Sequence, residues 1–142
     1  ILSLNSEPLA EKESVDMVLT FRNLHNWLKA EILMDVFNKS YAALKPGGIF
    51  GVVEHRALAD SSLENMKKSG YVTEELTIEY ARKAGFILVA SSEINANPKD
   101  GTIHPKGVWT LPPSLRLGEE DRAKYLAIGE SDRMTLKFMK PI

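Results

Sequence analysis

The side chains best suited to chemistry in this chain fall in two clusters, Phe21-Arg22-Asn23-Leu24-His25-Asn26-Trp27 and Glu54-His55-Arg56. A histidine beside a carboxylate can serve as general base toward a nucleophilic oxygen or nitrogen, because imidazole titrates near neutrality. Glu54 and His55 are such a pair in sequence. The plainer alternative makes Glu54 and Arg56 an ordinary ion pair at the rim. Arg22 can grip a carboxylate through two parallel hydrogen bonds, or simply stay solvated. Asn23, His25 and Trp27 offer polar groups and an aromatic face; otherwise His25 caps a helix and Trp27 packs beneath it. The third histidine, His104, lies near Trp109 in a segment that reads as a lid over substrate or as an inert loop. No two histidines have the H-x-x-x-H spacing of one helix face, so no metal centre is expected.

These clusters must be positioned by the elements around them. Val15 to Phe21 is a short apolar run, consistent with a strand buried on both faces. Ile32, Leu33, Val36, Phe37, Tyr41 and Leu44 recur at threes and fours, which predicts an amphipathic helix. It should stop near Lys45, because a residue preceding proline disfavours the helical region. Pro46-Gly47 suits a turn with positive φ at the glycine, and Ile49 to Glu54 reads as a second buried strand. Residues 57–72 are polar and irregular. Thr73 is a candidate N-cap, with Glu74 and Glu75 behind it and Gly85 as the stop. Phe86 to Ile94 reads as a third strand. The segment 98–118 is a proline- and glycine-rich loop, followed by a short helix from about Glu119 to Ile128. Arg133 to Lys140 alternates with period two, which predicts the last strand. Such alternation of strands and helices implies an α/β sheet with helices on its faces. Ligands of these sheets sit outside the carboxyl ends of the strands, where both clusters would lie along one rim.

With 142 residues, 44% of them hydrophobic and 26% charged, the chain suits a single domain, residues 1–142, after a lead-in of residues 1–14. A net charge of -1 supplies no broad field for a phosphate backbone, so nucleic acid is not an expected partner. The absence of cysteine removes thiolate ligands and a cysteine nucleophile. No apolar stretch is long enough to span a membrane. A cytoplasmic location is the default expectation.

The stretches "VDMVLTFRNLHNWL", "ALKPGGIFGVVEHRA", "TIEYARKAGF" and "DRMTLKFMKP", in that order, resemble the C-terminal half of a class I S-adenosylmethionine-dependent methyltransferase. "EHRA", "NANPKDG" and "ESDRMTLKFMKP" are similar to a bacterial group of predicted small-molecule methyltransferases. The resemblance implies a truncated Rossmann-like sheet, with strands equivalent to 4-5-7-6 of the family order 3-2-1-4-5-7-6. It also implies that S-adenosylmethionine is the cofactor and that Phe21, Arg22, Asn23, His25 and Trp27 lie on the cofactor side. His55, Glu54 and His25 are then the candidate catalytic residues. The family holds its cofactor mainly through a glycine-rich loop after the first strand and an acidic residue ending the second. No such loop occurs in this chain, so binding of the cofactor by these residues alone is doubtful on this reading. An Asn or Asp-Pro-Pro-aromatic sequence, which the resemblance associates with nitrogen-methylating members, is absent after Phe21. The expected acceptor is therefore a small molecule. Loss of the first three strands would bare the flank of Val15–Phe21, and pairing across a two-fold axis would repair it, so a homodimer is expected. The competing reading is a non-catalytic dimerising module that keeps the fold and has lost cofactor binding.

Overall fold

The computed structural model describes residues 7–142. The first part of the expected lead-in, residues 1–6, lies outside the described residues. The elements run β1 (Val15–Phe21), α1 (Leu24–Lys29), α2 (Leu33–Ala43), β2 (Leu44–His55), α3 (Leu63–Ser69), α4 (Glu74–Ala84), β3 (Ile87–Ser92), a 3-10 turn (Gly107–Thr110), α5 (Arg122–Ile128) and β4 (Arg133–Met139). The sheet order is β1-β2-β4-β3. β1 and β2 are parallel, while β4 runs antiparallel to both β2 and β3.

Local chemistry explains most boundaries. α4 begins at Thr73, whose hydroxyl accepts the Leu76 N–H at 3.1 Å, and ends at Gly85 with φ +113°. Gly47 has the expected positive φ, +83°, but inside β2, which starts at Leu44 and not at Ile49 and whose register with β1 shifts there. α3 lies within 57–72, a stretch expected to be irregular. Ser62 caps it by accepting the Asn65 N–H at 3.1 Å, and Gly70 (φ +80°) stops it. Its apolar stripe is only Leu63 and Met66, too short for periodicity to reveal. α1 is a second correction, since the polar run after β1 is helical from Leu24 onward.

α1 to α4 share one core with the inner face of β2 and β4. Leu24, Leu28, Phe37 and Met66 from the helices pack with Phe50, Val52, Met134, Leu136 and Phe138 from the strands. Phe50 stacks on Phe86 at 5.0 Å between ring centres and meets Phe37 edge-on at the same distance. The other sheet face is open. Met17, Leu19 and Phe21 are each more than half exposed. The expectation that β1 is buried on both faces, under helices on both sides of the sheet, is thus overturned: only one layer of helices covers it among the described residues. All six residues of β3 are exposed as well.

Candidate functional site

The carboxyl ends of β1 and β2 are neighbours, because Phe21 pairs with Val53 in parallel register. Arg22 and Asn23 leave β1 at the same level at which Glu54 and His55 leave β2. Arg22 turns the chain with φ +58°, in the left-handed region, and its N–H donates to the Val53 carbonyl at 2.7 Å. A side chain in that region costs about 1 kcal/mol. The strained turn aims α1 back at β2.

The consequence is a tertiary cap. α1 has no side-chain cap of its own. The Glu54 carboxylate, which has no exposed surface, takes that place by accepting the His25 backbone N–H at 2.7 Å. The same oxygen, Oε2, lies 2.9 Å from His25 Nδ1, and the other, Oε1, accepts the His55 N–H at 2.8 Å. A carboxylate against Nδ1 fixes the proton there and leaves Nε2 as the basic nitrogen. The pair is therefore a histidine oriented by a buried acid. Glu54 does not pair with Arg56. Arg56 grips Asp132 with Nε and Nη2, both at 2.9 Å, and also reaches Glu74 and Glu93. The rim ion pair considered from sequence is replaced by this network.

His55 sits 5.4 Å from His25, ring to ring, and its Nδ1 meets the Ser131 hydroxyl. Burial pushes the His55 pKa down to about 3, and its neighbours His25, Arg133 and Arg22 push the same way. At neutral pH this imidazole is uncharged. His25, Glu54 and His55 present ligand-type atoms within 4.8 Å of one another. Fold thus unites two histidines that sequence spacing keeps apart. The chemistry is still that of a dyad more than a metal cradle, since both Glu54 oxygens already accept hydrogen bonds and Arg22 and Arg133 oppose a cation.

A cavity of about 370 Å³ opens beside this dyad. Phe21, Arg22, Asn23, His25 and His55 line it, and Ser131 and Arg133 close one side. Val108, Trp109, Leu111 and Pro112, from the segment expected as a lid or an inert loop, also line it. Trp109 meets His25 edge-on at 5.8 Å. Trp27 is not among the lining residues; it faces a second cavity of about 540 Å³ on the flank of β1, with Val18, Thr20 and Val36. The Thr20 hydroxyl there is buried without a partner. His104 is not an exposed loop histidine. Its Nε2 lies 2.7 Å from Asp100 Oδ1, with the side chain buried. Asp100 also accepts from Tyr71, the Thr102 N–H and the Asp132 N–H. Burial alone would raise the Asp100 pKa, but these hydrogen bonds prevail and hold it below the ordinary carboxylate range. Ser131, Arg133 and the role of Asp100 escaped sequence reasoning, because strand order alone does not show which side chains of the last strand and the long loop reach the site.

No protein-family model matches the chain, and no curated protein matches it in sequence. Solved structures match its fold. The cyclase SpnF superposes with a TM-score of 0.61 at 19% identity, covering 96% of this chain and 53% of that one. A methyltransferase described as S-adenosylmethionine-dependent, from Methanosarcina mazei, gives 0.60 at 12% identity, covering 96% and 64%. The 1,6-didemethyltoxoflavin-N1-methyltransferase of Burkholderia thailandensis, solved with its substrate and S-adenosylhomocysteine, gives 0.56 at 16%, covering 96% and 48%. The chain spans about half to two-thirds of the length of these structures. Its fold is therefore that of S-adenosylmethionine-dependent methyltransferase structures, a fold that a cyclase also uses. Arg22 and Asn23 supply donors at the end of β1, but Glu54 is consumed beneath His25 and no glycine-rich loop stands elsewhere in the chain.

Proposed function

We propose that this chain is the acceptor-side portion of an S-adenosylmethionine-dependent methyltransferase, the counterpart of strands 4-5-7-6 of that fold, acting on a small molecule. The observation that carries the reading is the buried Glu54 carboxylate fixing His25 at the mouth of a cavity at the carboxyl ends of β1 and β2. The cofactor, when bound, supplies an electrophilic methyl group. His25 Nε2 takes the proton of the acceptor's oxygen or nitrogen, Glu54 stabilises the resulting imidazolium, and the lid residues exclude water. His55, with a pKa near 3, is too weak a base at neutral pH and acts as a neutral wall of the cavity. Glu54 orients and does not itself take the proton. Phe21, Arg22 and Asn23 face the donor side, and the bare flank of β1 pairs with a second copy of the chain.

Calorimetry with S-adenosylhomocysteine tests the reading. Micromolar binding is expected, at chain concentrations where self-association is established by light scattering. No heat at millimolar ligand would overturn it and favour the second reading, a dimerising module without chemistry. That alternative draws on the exposed Met17, Leu19 and Phe21, which suit association whether or not catalysis survives.

A further inference from the structure

The cavity beside His25 has an electrostatic character that the chain as a whole lacks. Arg22, Arg133, His25 and His55 line it, and no aspartate or glutamate does. The chain carries a net charge of -1, so this positive lining is a local arrangement. Arg133 comes from β4, where His55 pairs with it across the antiparallel ladder. Its Nε donates to the Ser131 hydroxyl at 3.1 Å, and Glu130 engages Nη1 alone at 3.2 Å from an exposed position. Arg22 is brought to the opposite side by a backbone conformation unusual for a non-glycine residue. Burial does most to lower the basicity of His55, and both guanidinium groups lie near enough to add to that effect. Between these groups the wall is apolar, built from Phe21, Val108, Trp109 and Leu111.

We propose that the cavity binds a small amphiphilic anion, with a carboxylate or phosphate held between Arg22 and Arg133 and an apolar body against Trp109 and Leu111. Guanidinium groups bind both acid groups through charge-assisted, often paired hydrogen bonds. About 370 Å³ lies near the lower end of the range for ligand sites, which limits the body to roughly one ring. This deepens the acceptor-side reading and rests on it: an acid group anchored at the two arginines presents the rest of the molecule to His25.

Calorimetry on the chain with benzoate, phenyl phosphate and uncharged benzamide tests it. Both anions should bind at least about ten-fold more tightly than benzamide, with affinity falling as salt rises. Arg22→Gln and Arg133→Gln should each weaken the anions by about five-fold or more, whereas Arg133→Lys, which keeps the charge, should restore most of the loss. Arg82→Gln, on the exposed face of α4, is the control and should change nothing. Thermal unfolding of each variant separates lost binding from lost fold. Equal affinity for benzamide and benzoate, or indifference to both glutamine variants, would overturn the proposal. Displacement of benzoate by S-adenosylhomocysteine would also overturn it, by giving the acid site to the donor's carboxylate. Anion binding without any S-adenosylhomocysteine binding would leave this site standing and sink the transferase reading instead.

Discussion

Glu54 is the residue on which the site turns, because it satisfies a helix terminus and a histidine at once. Replacing it with alanine strands the His25 and His55 N–H groups in a dry interior, at a cost of about 3–5 kcal/mol in urea unfolding. Glu54→Gln keeps the shape and should cost less, while releasing the Nδ1 proton preference that nitrogen NMR of His25 reads directly. Retention of that tautomer in the glutamine variant would show that the carboxylate does not set it. His55 gives a pH prediction with a definite sign. Its pKa falls from 6.5 to about 3 on folding, so between those values the unfolded chain binds a proton that the folded chain refuses. The stability is fully present above pH 6.5 and is lost as pH falls toward 3, by at most about 1.4 kcal/mol per pH unit. His55→Asn should flatten this acid limb relative to the parent chain, and parallel curves would refute the assignment. The sequence named Glu54, His25 and His55 in two clusters but could not show that Glu54 contacts His25, because the direction of a side chain at a strand end depends on the helix that packs there.

α4 was readable in advance from paired start and stop signals, Thr73 and Gly85, and α2 from its apolar stripe and its end before Pro46. α3 carried the same signals, Ser62 and Gly70, but lacked a stripe long enough to draw attention to them. The segment between β3 and α5 was unreadable for a different reason. Its order comes from contacts that reach far along the sequence, such as Tyr71 and the Asp132 N–H on Asp100, and Asn97 on the Ile128 and Glu130 carbonyls. The motifs around Arg56, Asp100 and Asp132 looked separate in sequence and are one network in space. Gly107 is where this wall meets α3. It has φ +60°, and a Cβ there would fall 2.4 Å from the Ser69 carbonyl oxygen. Gly107→Ala should therefore cost about 2–4 kcal/mol and disturb the near-ultraviolet dichroism of nearby Trp109. Gly118 has φ +65° but open space around it, so Gly118→Ala should cost only about 1 kcal/mol. Equal losses would mean that the close approach to Ser69 is unimportant.

At the scale of the whole molecule, the sheet is covered on one side only. β1 lies at its edge with Met17, Leu19 and Phe21 turned outward, and Ile49 and Val53 of β2 continue the same apolar face. Alternating apolar residues on both faces of β1 are what made it read as a fully buried strand, and that pattern is informative even though the single chain leaves half of it wet. A sequence whose outward positions had adapted to water would carry polar groups there, as Thr135 and Lys137 of β4 do. An open apolar patch of this kind is what a covering polypeptide would bury. Leu19→Asp discriminates between covering and mere exposure. In an isolated chain the substituted position is already half in water, so unfolding free energy should fall by no more than about 1 kcal/mol. If a second copy covers the face, the same change should turn a dimer into a monomer in sedimentation at micromolar chain. A parent chain that sediments as a monomer up to about a hundred micromolar would remove self-association.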